Sequence, residues 1–127
     1  MDLILDTHVA LWWASDPGRL AATAVEAIED NANSVWFSAA STWELAIKAK
    51  SGKLQIDVTR FVGELDQQGV RLLDIEHGDA IAAGGLKWGH RDPFDRMLAA
   101  QTLEREFTLL TRDGALVEFL GESAATA

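Results

Sequence analysis

A chain of 127 residues, 48% hydrophobic and 24% charged, is long enough to bury one core without covalent staples. It has no cysteine, which excludes disulfides, thiolate catalysis, zinc–thiolate sites and iron–sulfur clusters, and its three scattered histidines (His8, His77, His90) argue against a histidine-rich zinc site. Twenty acids against eleven Lys and Arg give a net charge of −9. That balance argues against a passive phosphate-gripping protein but leaves nucleic acid open as a substrate, provided some acids gather around a cation.

In chain order, Leu3-Ile4-Leu5 is a short apolar run suited to a buried parallel strand, ended by Asp6. Val9 to Ala14 predicts a first helix, broken by Asp16-Pro17-Gly18, and Leu20 to Glu29 a second, closed by Asn31 and Asn33. Val35-Trp36-Phe37 predicts the second strand. Ser41-Thr42-Trp43-Glu44 has the form of a capping box, opening a helix that runs to about Lys50 with Gly52 as its stop. Val58 to Gln68 predicts a further helix and Val70 to Ile75 the third strand.

His77 to Leu86 gives a weaker helical pattern that contains Gly84-Gly85. Asp92-Pro93-Phe94-Asp95 then starts a helix, with Pro in its first turn, running to about Arg105. Phe107 to Leu110 predicts the fourth strand, Thr111 to Gly114 a turn, and Leu116 to Leu120 a last short helix. Residues 1–120 are read as a single domain, and 121–127 as a tail small and polar enough to fray. Strands alternating with helices predict an α/β protein, a central parallel sheet covered on both faces. No apolar run is long enough to span a membrane and Met1-Asp2 leads straight into a strand, so a cytoplasmic protein with no membrane partner is expected.

Ligands of such sheets bind beyond the carboxyl ends of the strands. Four acids should reach that edge: Asp6 and Asp113 after strands, Glu44 and Asp95 near helix starts. Each has an ordinary structural role beside the functional one. Asp6 suits an N-cap, Glu44 the third position of the Ser41 box, Asp95 a first helical turn and Asp113 an Asp-Gly turn. Taken together, four converging carboxylates repel one another and raise their own pKa values unless a cation joins them. Oxygen ligands without His or Cys suit Mg²⁺ or Mn²⁺, ions able to activate water for attack on a phosphodiester.

Thr7 and Thr111 stand next to acids and could hydrogen-bond a carboxylate or a metal-bound water; a turn or strand-end role is equally open. Arg96 joins Trp88, His90 and Arg91 in a small basic patch beside Asp95, able to hold a nucleic-acid backbone or a partner's acid, or simply solvated. Lys48, Lys50 and Lys53 read as a solvated face, and Trp12, Trp13, Trp36 and Phe37 as core. An aspartyl-phosphate phosphatase would want an acid where His8 stands; there is no glycine-rich phosphate loop and no Gly-x-Ser-x-Gly elbow.

The motifs resemble those of PIN-domain proteins, more narrowly the VapC-like ribonuclease toxins. The segments concerned are Leu3-Ile4-Leu5-Asp6-Thr7-His8-Val9-Ala10-Leu11-Trp12-Trp13, Ser38-Ala39-Ala40-Ser41-Thr42-Trp43-Glu44-Leu45-Ala46-Ile47-Lys48 with Gly52-Lys53-Leu54 after it, His90-Arg91-Asp92-Pro93-Phe94-Asp95-Arg96-Met97-Leu98-Ala99-Ala100-Gln101 and Leu109-Leu110-Thr111-Arg112-Asp113. Four motifs in register over nearly the whole chain make a specific likeness. The resemblance implies a three-layer α/β/α sandwich with a parallel sheet of four or five strands. It also implies a Mg²⁺- or Mn²⁺-dependent endoribonuclease, a homodimer, and a cognate antitoxin that covers the site.

By that likeness Asp6, Glu44, Asp95 and Asp113 form the metal-holding quartet, with Asp6 and Asp95 the closest ligands. Asp92 is then a helix cap that also holds a metal-bound water. The rival readings are a PIN-like module that binds a partner or RNA with vestigial chemistry and, more remotely, a metal-dependent phosphatase of small esters. The one departure from the family's pattern is the tail, Leu120 to Ala127, a poor candidate for the fifth strand of many relatives.

Overall fold

The computed structural model describes residues 1–127. Its elements in chain order are β1 (Asp2–Leu5), α1 (Thr7–Ser15), α2 (Ala22–Glu29), β2 (Ser34–Ser38), α3 (Ala39–Lys50), α4 (Val58–Gln67), β3 (Arg71–Leu73), α5 (His77–Gly85), α6 (Pro93–Arg105), β4 (Thr108–Thr111), α7 (Gly114–Leu120) and β5 (Ala124–Thr126). The five strands form one all-parallel sheet in the order β3-β2-β1-β4-β5. No helix is long and apolar enough to cross a membrane.

The three layers follow from the period-2 geometry of a strand buried on both faces. Leu3 and Leu5 point to one side, where Val9 and Ala10 of α1, Ala24 and Ile28 of α2, Leu45 of α3 and Phe61 and Leu65 of α4 close the larger core. Ile4 points to the other side and meets Leu98 and Ala99 of α6, Leu109 of β4, and Leu116 and Leu120 of α7. Trp12 and Trp13 pack against the first of these cores.

Three local expectations are corrected. The Ser41–Glu44 capping box is not formed. β2 passes straight into α3, so Ser38 is the cap, its Oγ accepting from Ala40 N at 3.0 Å, and Glu44 stands inside the helix. The third strand is shorter than residues 70–75, because Asp74 O leaves the ladder to accept from Gln101 Nε2 at 3.2 Å. Residues 121–127 do not fray. A 3₁₀ turn over Gly121–Ser123 returns the chain to the sheet, and Ala124, Ala125 and Thr126 pair in parallel with Leu109, Leu110 and Thr111. Small residues are weak strand formers, but here the free edge of β4 supplies the pairing, and Ala127 is buried behind it.

Candidate active site

The strand order reverses around β1 and β4, and the crevice beyond their carboxyl ends is where the cleft lies. Asp6 ends β1 as the N-cap of α1, its Oδ1 accepting from Thr7 N at 2.7 Å. Asp113 follows β4 and caps α7, accepting from Ala115 N and Leu116 N; the expected Asp-Gly turn is thus a helix start. Asp92 caps α6 through bonds from Phe94 N and Asp95 N, which sets Asp95 in the first turn with Pro93 ahead of it. Glu44 arrives from inside α3. All five carboxylates line one cleft of about 390 Å³, together with His8, Trp12 and Arg112. The structural and functional readings of Asp6 and Asp113 are therefore compatible: each caps with one oxygen and faces the cleft.

Thr111, fully buried at the end of β4, joins two of these acids. Its hydroxyl donates to Asp6 Oδ2 at 2.6 Å and accepts from Asp113 N at 3.0 Å. Thr7 does nothing comparable. Its hydroxyl is buried without a hydrogen-bond partner, as is that of Ser41. Glu44 is paired with Lys48 Nζ at 3.2 Å, and Asp95 Oδ2 lies 2.7 Å from His90 Nε2.

Burial is the largest cause raising the Asp6 carboxyl above its ordinary range; the bonds from Thr111 and Thr7 oppose it, and the charge of Glu44 adds to it. Asp95 is pushed up to about 6, again chiefly by burial, with His90 opposing and the charges of Asp92, Asp6 and Asp113 reinforcing. That coupling is the electrostatic signature of acids crowded into one cleft.

Arg96 does not join them. Its guanidinium donates to the carbonyls of Ala83, Gly84, Leu86, Trp88 and His90 at 2.6–3.4 Å and so organises the loop before α6. The basic patch read from the sequence is therefore a structural clamp, and its product is the placement of His90 against Asp95. Trp88 stacks on His90 at 4.6 Å and on Phe119 at 4.4 Å, fixing the same loop from outside. Sequence reasoning had no site role for His8, Trp12 or Arg112. The available signals were position alone: His8 and Trp12 on the helix that Asp6 caps, and Arg112 next to Asp113.

No three His, Asp or Glu side chains are gathered closely enough to make a metal-ion site as they stand. The donor set nevertheless fits a hard divalent cation: every acid of the cleft offers carboxylate oxygen, and Asp6 and Asp95 carry raised pKa values that a cation would reverse.

The PIN-domain family model matches residues 3–119, and the chain belongs to the PIN-domain family. It is 35% identical over 117 residues to Ribonuclease VapC22 of Mycobacterium tuberculosis (strain ATCC 25618 / H37Rv), a match covering 90% of this chain and 88% of that protein. Among solved structures, VapBC2 from Rickettsia felis bound to a promoter DNA fragment superimposes with a TM-score of 0.67 at 15% identity, covering 100% of this chain and 98% of that one. A toxin–antitoxin complex from Klebsiella pneumoniae gives 0.68 at 17% identity, over 98% and 96% of the two chains. VapBC-1 from nontypeable Haemophilus influenzae gives 0.68 at 17%, over 100% and 97%. These structural matches share the fold.

Proposed function

We propose that this chain is a VapC-like endoribonuclease toxin that hydrolyses RNA phosphodiester bonds with Mg²⁺ or Mn²⁺ and is neutralised by a cognate antitoxin. The observation that carries the reading is the convergence of Asp6, Glu44, Asp92, Asp95 and Asp113 on one cleft at the β1–β4 switch point. The ribonuclease relative and the toxin–antitoxin complexes among the structural neighbours support it. Nucleases of this family are metal-dependent.

Asp6 and Asp95 would hold the cation most directly, with Glu44 and Asp113 as further ligands and Asp92 holding a water. When bound, the cation supplies Lewis-acid charge at the phosphate and lowers the pKa of the attacking water. The remaining work belongs to this chain's own groups. Thr111 fixes the Asp6 carboxylate and the backbone of Asp113 in one arrangement, and His90 orients Asp95. Lys48 holds Glu44 and partly neutralises it.

The family likeness also implies a homodimer. On α3, Trp43 is 57% exposed and Ile47 46% exposed, which offers apolar surface for it; sedimentation of wild type against Trp43→Ser tests the assignment. A second reading, a PIN-like binding module with weak chemistry, draws on the absence of a ready ligand group.

One experiment separates the two: antitoxin-free protein incubated with total cellular RNA in Mn²⁺, Mg²⁺ or EDTA, beside Asp6→Asn. Discrete fragments that require both the cation and Asp6 are expected. Cleavage by Asp6→Asn overturns the quartet, and no cleavage by a folded wild type moves the reading to the binding module.

A further inference from the structure

Trp12 borders two cavities. On one side it lines the acidic cleft; on the other it lines a groove of about 660 Å³, floored by Leu45 and Phe61 and edged by Arg19, Lys48 and Lys53, with one acid, Glu64, which is paired with Arg60 at 3.0 Å. At the junction the guanidinium carbons of Arg112 and Arg19 lie 5.3 and 5.6 Å from the centroid of the Trp12 ring, and Arg112 Nη1 donates to Arg19 O at 2.7 Å. Arg112 faces the cleft, Arg19 the groove.

On a chain of charge −9, cations thus line a continuous path that begins at the acids. Arg19 has only an exposed, 3.9 Å contact with Asp16 to lose, so its head is available. Resting two guanidiniums on an aromatic face fixes their rotamers in advance, which lowers the ordering cost of gripping an anion.

We propose that the Arg19–Trp12–Arg112 cluster and the groove beyond it, with Lys53 on its edge, bind the phosphodiester backbone of single-stranded RNA next to the bond being cut. The inference rests on the ribonuclease reading and deepens it. Carboxylates suit the one phosphate that shares their cation, whereas the neighbouring phosphates need cationic partners, and this path supplies them where the acidic cleft ends.

The test uses full-length, antitoxin-free protein carrying Asp6→Asn, with a fluorescein-labelled single-stranded RNA 20-mer of mixed sequence read by anisotropy in EDTA across a KCl series. Arg19→Gln and Lys53→Gln, both checked by thermal melting, should each weaken binding and lower the slope of log K against log salt by about 0.7, the single-strand value per phosphate contact. Arg71→Gln removes the same charge at the far end of the sheet, beside Gly69 and Ser34, and should leave the slope unchanged. In the cleaving wild-type background, Arg19→Gln and Lys53→Gln should raise KM and leave kcat near its starting value.

If the Arg19→Gln/Lys53→Gln double variant keeps the slope and KM of the parent, the proposal is overturned. It is equally overturned if the double variant loses only its hold on a peptide from the antitoxin's C-terminal segment, since the groove would then serve that partner. RNA binding that depends on Arg19 and Lys53 in a protein that cleaves nothing would support the groove while sinking the ribonuclease reading.

Discussion

Asp95 and Asp79 stand in the same helical layer, on α6 and its neighbour α5, yet their environments are opposite. Asp79, 4% exposed, receives Arg105 Nη1 and Nη2 at 2.6 and 2.9 Å, Glu76 N at 2.9 Å and Gln101 Nε2 at 3.2 Å. The Arg105 guanidinium, ahead of all other causes, holds its carboxyl below the usual range. Asp95 has one side-chain partner, His90, and three acidic neighbours, and sits at about 6. One end of α6 is thus anchored by a complete ion pair, while the other keeps a carboxylate short of partners. Burial alone does not decide a carboxylate's state; the partners supplied with it do. A deficit tolerated inside an otherwise satisfied fold is what a ligand can exploit.

The sharpest test of this contrast is to neutralise each acid in turn. Asp95→Asn should cut the rate of RNA cleavage by about a hundredfold or more while leaving the melting temperature of the cation-free protein unchanged or higher. A large loss of stability instead would mean that Asp95 is structural. Asp79→Asn should do the reverse, lowering stability by about 2–4 kcal/mol in urea titrations through the unpaired Arg105, with cleavage per folded molecule retained. Equal effects of the two variants on activity would erase the distinction.

The pH profile gives the next effect, and its sign differs between the two groups. Between about pH 4 and 6 the unfolded chain ionises Asp95 while the fold still holds its proton, so this group makes stability fall as pH rises and costs the cation-free protein a few kcal/mol at neutrality. Asp79, depressed in the fold, contributes stability above its ordinary pKa of 3.8 that is lost as pH falls through the lower folded value. Urea midpoints from pH 3 to 8 should show a smaller upper decline in Asp95→Asn than in wild type, the remainder coming from Asp6, whose carboxyl burial also raises. Adding Mn²⁺ at neutral pH should raise the melting temperature of wild type and not of that variant. The smallest effect is that of the cap: Asp92→Ala should cost about 1 kcal/mol, measured by thermal unfolding, through the amides of Phe94 and Asp95.

Much of this was legible without coordinates, for identifiable reasons. β1, β2 and β4 are buried on both faces, so their apolar runs are unambiguous, and strand–helix alternation fixes which edge receives Asp6 and Asp113. Glu44 was placed at that edge for a mistaken local reason, since the helix starts at Ala39 without a loop and an amphipathic pattern does not mark such a junction. Whether the sheet has four strands or five stays open in the sequence because Ala124-Ala125-Thr126 carries no strand signal of its own; its pairing is supplied by β4. Arg96 was misread because composition reports a charge and not where the charge points. The same limit hid the Arg19–Trp12–Arg112 cluster, in which Arg19 and Arg112 lie 93 residues apart.

The arrangement around Arg96 also bears on how this chain can vary. Irregular loops ordinarily absorb insertions and deletions with little consequence. The segment from Leu86 to Arg91 has no helix or strand to hold it, but its carbonyls converge on a single side chain of fixed planar shape. Adding or removing one residue there would put the carbonyls out of step with the guanidinium and carry His90 away from Asp95. Among homologues, the connection between α5 and α6 is thus expected to hold its length wherever an arginine occupies this position, and to drift in length only where that arginine has been replaced.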